Sequence, residues 1–547
     1  MVLDRDTHRQ LGYCIVPVLG SKALLEVYGV FKPLIDATQT FQNHEILLTG
    51  ANGFVGKVML GLLLDRFPAC KHLHILVRPR PGTSAEDRFR RDVLTSPALQ
   101  AIAERADPSL LRDRLTIHPG DIGDPMCGLS RESLGQLSGR VSLIINCAGL
   151  VEFFAPVDES FKSNVDGVEN VLDVCRRLQA RLVHVSTCFV CGEADGLVEE
   201  TEPVLGFYPR RKDREDHSFR HRDEIALMRA RIRDVYDSAG RGARVTPPKE
   251  ITQKLVDLGA QRAAQWGWVN IYTYSKSLGE QLIVDAARPS NGHAGIEYSI
   301  VRPAIVEAAL EFPFPGWVEG GRTAAPLVMM ALSGQRHWPL RKDAPLEVVP
   351  VDQVASSILT AAALLLNGRA ERVYQIGAAD RNPVPLGNLV KWMHQDYLKL
   401  KRRPRFLSPG VRILTPARAR LWNGMMHRRI VGLQRFVVGT RRLAQGAGLP
   451  GRRALAKLAT QLRMLGLQAT VRDQMLELYQ PFMYDNRFIF EAENIRAAHA
   501  RLNERDQEKL PWSPERINWR KYWSEHEVKG IRKWVQAEFA KGRTFKL

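Results

Sequence analysis

The chain has 547 residues, of which 45% are hydrophobic and 25% charged, and its formal net charge is +19. These values are typical of a globular protein long enough for two or three domains. The sequence has no apolar stretch long enough to span a bilayer, and its first residues are not typical of a secretory signal. Seven cysteines are few and odd in number for this length, so we expect reduced thiols and a cytoplasmic location instead of a disulfide-stapled secreted scaffold.

In chain order, the pattern predicts a helical N-terminal extension and then short apolar runs separated by helical stretches. Such runs indicate parallel strands buried on both faces, as in a doubly wound α/β sheet of the Rossmann type. The predicted strands are 44–48, 73–77, 115–119, 142–146, 181–186 and 298–301. The predicted parts are an extension (1–43), a cofactor-binding domain (44–390) with a helical insertion (205–265) and a substrate-binding part (303–390), a basic amphipathic segment (391–472), and a smaller, mainly helical C-terminal domain (473–547). We expect the insertion to lie over the site as a lid or substrate wall.

A glycine-rich turn follows the first predicted strand and opens a helix. Gly50 permits a tight turn, Gly53 lets a pyrophosphate approach the backbone, and Gly56 lets the helix pack close to the strand. A tight strand–helix turn without a ligand is the alternative. The turn residues predicted to bind a dinucleotide are Thr49, Gly50, Asn52, Gly53, Phe54, Val55 and Gly56.

The second predicted strand ends with arginines where folds that prefer NAD often carry an acid. The guanidinium groups of Arg78 and Arg80 suit a ribose 2′-phosphate, which predicts NADPH as the cofactor. The ligand is expected at the carboxyl ends of the strands. Further cofactor contacts are predicted at Asp121, Ile122, Ala148, Pro303, Ala304 and Ile305.

A Tyr-x-x-x-Lys pair behind this fold indicates an oxidoreductase. Tyr272 and Lys276 share one face of a helix, so the ammonium is expected to lower the pKa of the phenol and to reach the nicotinamide ribose. Tyr274 would point away. Ser186 and Thr187 end the fifth strand, and we favour Thr187 as the hydroxyl that stabilises an oxyanion.

Two further features have structural interpretations. Asn164 is expected to be structural. Cys188 and Cys191 form a CxxC that we interpret as two strand-end residues, not a redox or metal pair, because the chain has no second CxxC. We predict no metal site.

The net charge is concentrated in one segment. Residues 397–472 contain 18 Lys or Arg and no Asp or Glu, so the rest of the chain is nearly neutral. Basic residues alternate with apolar ones, which is typical of a segment that contacts an anionic membrane face or an anionic carrier. A solvated helical face is the alternative. The chain has no recognised nucleic-acid motif, and we expect no nucleic acid partner.

Five motifs together resemble the fatty acyl-CoA reductases, with the alcohol-forming bacterial type as the nearest likeness. They lie at 49–57, 185–190, 272–281, 301–307 and 313–320, and 473–540 looks like that family's smaller C-terminal domain. The resemblance implies an extended short-chain dehydrogenase/reductase fold, NADPH, and reduction of long-chain acyl thioesters carried by CoA or an acyl-carrier protein. It also implies Tyr272 as proton donor, with Lys276, Thr187 and Ser186 beside it.

Alternative functions remain open at this point. A thioester reductase that stops at the aldehyde, or a reductase of another lipid carbonyl such as a sterol, would use the same residues. A non-catalytic NADPH-binding scaffold held at membranes by 397–472 is an alternative of a different class. The presence of Tyr272, Lys276 and Thr187 together argues against it, because a scaffold does not need these three residues.

Overall fold

A computed structural model of the protein describes residues 33–105, 113–213, 215–240, 248–289, 294–321, 323–402, 404, 409–446 and 452–536. Its centre is a seven-stranded parallel sheet formed by β1 (Glu45–Thr49), β2 (His72–Val77), β3 (Leu115–Pro119), β4 (Val141–Asn146), β5 (Arg181–Val185), β7 (Tyr298–Pro303) and β12 (Val373–Ile376). The strand order across this sheet is β12-β7-β5-β4-β1-β2-β3.

The predicted fold class is confirmed, and the six predicted strands match observed ones to within two residues at each end. The order reverses between β1 and β4, which is where doubly wound sheets bind their ligands. The edge strand β12 was missed. Its buried Gln375 breaks the apolar run, and that side chain donates to Val198 O and Glu491 O, which are far away in sequence.

The remaining strands form four two-stranded pairs, and helices cover both faces of the main sheet. The short strands are β6 (Asp195–Val198), β8 (Ile305–Glu307), β9 (His337–Pro339), β10 (Pro345–Leu346), β11 (Val348–Pro350), β13 (Val384–Pro385), β14 (Arg412–Leu414) and β15 (Arg487–Phe490). The α-helices are α1 (Ala37–Asn43), α2 (Phe54–Arg66), α3 (Ala85–Phe89), α4 (Pro97–Arg105), α5 (Arg131–Leu137), α6 (Val157–Phe161), α7 (Gly167–Leu178), α8 (His221–Asp237), α9 (Lys249–Trp266), α10 (Ile271–Ala286), α11 (Ala325–Leu332), α12 (Val351–Leu366), α13 (Leu386–Leu400), α14 (Pro416–Gly446), α15 (Arg452–Gln480), α16 (Glu493–Ala500), α17 (Glu504–Lys509), α18 (Trp519–Lys521) and α19 (Val528–Gly530).

Two apolar cores lie on opposite faces of the sheet, because successive side chains of a strand point to opposite sides. In β1, Ile46 and Leu48 join one core, whereas Leu47 joins the other. The first core holds α2 and α12, and the second holds α7 and α10. This double burial explains why the strands read as continuous apolar runs.

The insertion forms α8 and α9, which pack on α10 and on the core behind it through residues such as Ile225 and Leu255. We expected a lid or substrate wall over the site. That expectation is wrong for the described residues of 205–265, because their apolar side chains face the outer side of α10, and none of them lines the site cavity.

The first and last described parts of the chain pack on the same core as the sheet. β15 pairs with β6 in parallel, and Ile35 forms a bridge with Leu502. Of the predicted N-terminal extension, 1–32 lies outside the described residues and 37–43 is helical. The predicted boundary at 473 falls inside α15, whereas 537–547 lies outside the described residues.

The basic segment begins within α13, contains β14, and consists mostly of α14 and α15, which pack against each other. Across the described part of the chain, the helices are too short or too polar to qualify as a bilayer-crossing segment.

Candidate active site

The glycine-rich turn connects β1 to α2 at the point where the strand order reverses. Gly50 has φ +76°, and a Cβ there would lie 2.6 Å from the backbone nitrogen of Ala148. A Cβ on Gly56 would lie 2.1 Å from the carbonyl oxygen of Gly50. Both positions therefore require glycine, and together they hold α2 close to the ends of β1 and β4.

A chain of buried polar groups fixes these strand ends. The Thr49 hydroxyl donates to Asn146 Oδ1 at 2.7 Å and accepts from the Ala148 backbone N–H at 3.2 Å. Asn146 Nδ2 lies 3.1 Å from His184 Nδ1 on β5. Thr49 and Ala148, both predicted as cofactor contacts, thus also shape the floor of the crevice.

The start of α2 fits a dinucleotide phosphate. Gly53 is the N-cap and supplies no side-chain cap, which leaves amides of the first turn for an anionic ligand. Asn52 Nδ2 is buried and has no hydrogen-bond partner among the described residues, and Asn52 lines the site cavity. Phe54, next in the turn, packs against Trp317 at 5.1 Å between ring centroids, and Val55 is half-buried.

A group of arginines surrounds the end of β2. Arg78 Nη1 lies 3.5 Å from Asp121 Oδ2 at the end of the neighbouring strand β3, and Arg80 lines the cavity. Arg88 and Arg91, which the sequence reasoning missed, line the same part of the cavity. Both belong to an amphipathic stretch after β2, and no local motif marks them as binding residues.

The other predicted cofactor contacts occupy strand ends as well. The Ile122 carbonyl accepts from Asn170 Nδ2 at 2.8 Å, which fixes the loop after β3. Ala304 and Ile305 follow β7, and their backbone N–H groups donate to Ile376 O and Glu347 O. Pro303 O lies 3.4 Å from the Thr187 hydroxyl, which links the end of β7 to the end of β5.

Helix α10 presents Tyr272 and Lys276 on one face toward the end of β5. Asn270 caps the helix by accepting from the Thr273 N–H at 3.0 Å. The Lys276 ammonium is buried and donates to Val185 O at 2.9 Å. Burial lowers the pKa of Lys276 to about 8.

The pKa of Tyr272 differs from the sequence prediction. Burial raises this pKa well above its usual value, and the hydrogen-bonding contact with the Thr187 hydroxyl opposes the increase only in part. We predicted a lowered pKa because of the Lys276 ammonium. That was wrong for this arrangement, since desolvation of the phenolate outweighs the other influences and the ammonium is directed at the Val185 carbonyl.

The two hydroxyls after β5 differ in their bonding. Thr187 accepts from the Phe189 N–H at 3.3 Å and borders Tyr272. The Ser186 hydroxyl is buried without a hydrogen-bond partner among the described residues, and its backbone N–H donates to Val301 O. An orphaned hydroxyl at a strand end beside Thr187 leaves polar capacity for a bound molecule.

Tyr274 points away from this group, as predicted. Its phenol donates to Glu224 of the insertion, which also forms an ion pair with Arg262. Tyr274 is fully buried among residues of the second core. Its place is therefore between α10 and the insertion.

The remaining motif residues have structural contacts. The Asn164 side chain accepts a hydrogen bond from the Leu150 backbone N–H and donates one to the Leu150 carbonyl. It also donates to Ser275 Oγ, which connects the loop after β4 to α10. Cys188 donates to Arg302 O at 2.7 Å, and both Cys188 and Cys191 are free thiols. Burial raises the pKa of both thiols, so neither is a thiolate suited to covalent catalysis.

A cavity of about 950 Å³ connects the arginines with an apolar region formed partly by the C-terminal segment. Phe153 lines it and lies 6.2 Å from the Tyr272 ring and 5.4 Å from Phe482, and Tyr479 lines it too. Sequence reasoning missed these three aromatic residues, because Phe153 is more than 300 residues from the other two. At the cavity wall, Lys57 forms an ion pair with Glu319 at 2.6 Å.

The sequence of this domain matches a family model described as Male sterility protein over residues 48–358, which is more than half of the chain. A second model with the same description matches residues 453–538. The chain belongs to the male sterility protein family. It is thus an oxidoreductase with a Rossmann fold of the short-chain dehydrogenase/reductase type that uses a nicotinamide cofactor.

Relatives in this family carry the name that the motifs indicated. The chain is 26% identical over 512 residues to "Probable fatty acyl-CoA reductase 5" of Arabidopsis thaliana, covering 91% of this chain and 98% of the relative. It is 29% identical over 367 residues to "Alcohol-forming fatty acyl-CoA reductase" of Simmondsia chinensis, covering 65% and 71%. The resemblance found in the sequence is confirmed.

The fold also matches a solved structure, the terminal R domain of the myxalamid PKS-NRPS biosynthetic pathway. The TM-score is 0.52 with 18% identity, and 92% of each chain is covered. At this identity the likeness shows the fold alone.

Proposed function

We propose that the protein reduces long-chain fatty acyl-CoA to the fatty alcohol with NADPH, through the aldehyde. The observation that carries this proposal is the shape of the cavity, which has cationic arginines at the end of β2 and aromatic and apolar side chains beside Tyr272. One end suits phosphates, and the other suits a hydrocarbon chain. The alcohol-forming relative supports the proposed product.

The turn after β1 and the arginines after β2 would hold NADPH, which when bound would supply one hydride to the carbonyl carbon in each of two reductions. In the first, Thr187 and Tyr272 donate hydrogen bonds to the oxygen on which negative charge develops. The thioester C–S bond then breaks as the carbonyl re-forms, which leaves an aldehyde, and CoA departs as a thiolate that takes a proton from water. In the second, Tyr272 gives its proton to the aldehyde oxygen, which produces a primary alcohol.

Each chain residue in this scheme has a place that suits its role. The raised pKa of Tyr272 keeps the phenol protonated near neutral pH, as a proton donor must be. Lys276 is held by Val185 O one turn further along α10, on the face where a nicotinamide ribose would lie. Ser186 supplies an unused hydroxyl next to Thr187.

The preference for NADPH is proposed from charge. Arg78 and Arg80 follow β2, and Arg88 and Arg91 join Arg80 at the cavity wall. Arg78 pairs with Asp121, and Arg88 and Arg91 both pair with Asp92, so four guanidinium groups face two carboxylates. Several guanidinium groups at this strand end favour a ribose 2′-phosphate over a 2′-hydroxyl.

The test is turnover of purified protein with palmitoyl-CoA and either NADPH or NADH, with identification of the lipid product. We expect hexadecanol, with two NADPH consumed for each CoA released. Hexadecanal with one NADPH would replace the proposal with a reductase that stops at the aldehyde. If NADPH binds tightly but is not oxidised with either acyl-CoA or acyl-carrier-protein thioesters, the protein would instead be a reductase of another lipid carbonyl or a non-catalytic scaffold.

A further inference from the structure

Helices α14 and α15, here called the helical pair, contain 31 and 29 residues and pack against each other around Val437, Ala459 and Leu462. The contacts at this interface use small and branched apolar side chains. Many of the large apolar side chains of the pair face away from it, and they form most of the exposed large hydrophobic residues in the described part of the chain.

Five exposed apolar residues lie on one face of α14. They are Leu421, Met425, Met426, Leu433 and Phe436. They are separated by intervals such as 4, 7 and 11 residues, which are close to whole numbers of helical turns, and they fall within about 140° of the helix circumference. Phe436 is 70% exposed and Leu421 is 63% exposed. An apolar face of this kind marks an interaction surface.

The second helix extends this apolar surface. Met464, Leu467 and Val471 of α15 are each about half exposed and are spaced by i, i+3 and i+7, so they share one face of that helix. Leu458 and Leu465 form a second exposed strip, seven residues apart.

Positive charge lies within and beside the apolar face of α14. Arg418 and Arg429 fall inside its arc of about 140°, Arg428 and Arg435 lie at its edge, and all four are exposed. Residues 397–472 contain no Asp or Glu, and Arg472 at the end of this stretch pairs with Asp473 at 3.9 Å. The partner must therefore bring negative charge and also accept apolar side chains.

We propose that the helical pair lies on an anionic lipid surface, with its exposed apolar side chains among the acyl chains and its arginines at the headgroups. A lipid surface satisfies both requirements at once. A second copy of this chain would bring the same cationic face and be repelled. An acidic soluble protein would neutralise the arginines and leave Phe436 and Leu421 without an apolar environment.

The last turns of α15 connect this surface with the active site. Met475, Leu478 and Tyr479 line the site cavity, and Phe153 of the same cavity lies 6.2 Å from the Tyr272 ring between centroids. If the proposed function holds, a water-insoluble substrate or product moves between the lipid and the cavity along α15. The docking itself does not depend on that reaction.

The test is flotation of the full-length protein with vesicles of phosphatidylcholine, alone or mixed with phosphatidylglycerol. We expect at least about tenfold tighter binding to the anionic vesicles, weakened by added salt. The triple variant Arg428→Glu/Arg429→Glu/Arg435→Glu and the triple variant Leu421→Ser/Leu433→Ser/Phe436→Ser should each lose at least about tenfold in vesicle binding.

Matched controls replace exposed residues elsewhere. Lys249→Glu/Lys254→Glu on α9 controls for charge, and Leu197→Ser/Val204→Ser controls for apolar exposure; both should bind like the wild type. Retained NADPH binding and far-UV circular dichroism show that each variant is folded. Vesicle binding needs no turnover, so its failure is separable from failure of the proposed reaction.

Three results would overturn the proposal. The first is equal binding to both vesicle compositions or by all variants. The second is a solution mass of two chains that falls to one in the Leu421/Leu433/Phe436 variant, which assigns the face to a second copy. The third is binding of an acidic carrier protein that is lost only in the arginine variant, without vesicle binding.

Discussion

The Lys276 ammonium donates to the Val185 carbonyl at 2.9 Å, so the helix that carries the Tyr-x-x-x-Lys pair is fixed to the strand that carries Ser186 and Thr187. Tyr272, one turn earlier on α10, consequently lies against Thr187, two residues after Val185. One hydrogen bond thus sets the register between the candidate proton donor and the candidate oxyanion donor.

Replacement of Tyr272 by Phe removes the phenolic proton while it keeps the ring beside Phe153. We expect kcat to fall by about 10²–10⁴, with the Kd for NADPH unchanged, because general acid catalysis contributes about this much. Tyr274→Phe is the matched control two residues away. It loses a buried hydrogen bond to Glu224, so we expect a lower unfolding free energy by about 1–2 kcal/mol and near-normal kcat. Equal losses of kcat in the two variants would contradict the assignment.

Replacement of Arg80 by Ala removes a guanidinium from the cavity wall at the end of β2. We expect the KM for NADPH to rise at least about tenfold and the KM for NADH to stay the same, because only NADPH has a 2′-phosphate to pair with that charge. Arg131→Ala, an exposed arginine at the start of α5, is the control. Parallel rises in both KM values would show that Arg80 shapes the site without reading the 2′-phosphate.

The pKa of Lys276 predicts a pH-dependent stability difference. The pKa of Lys276 is about 8 in the folded protein, and its usual value is 10.5. Between pH 8 and pH 10.5, Lys276 is therefore protonated in the unfolded chain but mostly neutral in the folded one. Wild-type stability therefore rises with pH across that window, and the full cost of burying the ammonium is present below pH 8. Lys276→Met removes the titrating group.

We expect the unfolding free energy of Lys276→Met relative to the wild type to decrease by about 3 kcal/mol as the pH rises through this window, as measured by urea unfolding of the cofactor-free proteins. The Val185 carbonyl that loses its donor adds an offset that does not change with pH. Lys254→Met, exposed on α9, is the control and should show a flat difference. A flat difference for Lys276→Met would mean that its pKa is ordinary.

Local features made the fold and the cofactor turn predictable. Gly50 and Gly56 act on neighbouring backbone, and β1, β2, β4 and β5 are largely apolar runs that send side chains into both cores. The edge strand β12 was missed because its buried Gln375 interrupts the apolar pattern and donates hydrogen bonds to the distant carbonyls of Val198 and Glu491. Such contacts between distant parts of the chain leave no local pattern.

The same reason explains what was missed in the site. Phe482 and Tyr479 reach Phe153 only because the C-terminal segment folds back on the sheet. The raised pKa of Tyr272 comes from burial of the phenol, and burial cannot be read from the Tyr-x-x-x-Lys spacing. The motif therefore predicted the positions of the groups but the wrong direction of the shift.

The buried ion pair between Glu280 and Arg302 lies behind the site, and both residues belong to motifs that look catalytic. Arg302 Nε and Nη2 donate to the two Glu280 carboxylate oxygens at 2.9 and 2.6 Å, and both side chains are at most 8% exposed. Glu280→Gln leaves the guanidinium charge buried without compensation, so we expect a loss of roughly 3–5 kcal/mol in unfolding free energy, with the KM for NADPH unchanged. Glu193→Gln, which breaks the exposed pair with Arg210, is the control and should change stability by less than about 1 kcal/mol. Thermal unfolding and cofactor titration of both variants test whether Glu280 has a structural role, connecting α10 to β7, or a catalytic one. A Glu280→Gln protein that is as stable as the wild type but no longer turns over substrate would place this carboxylate in catalysis.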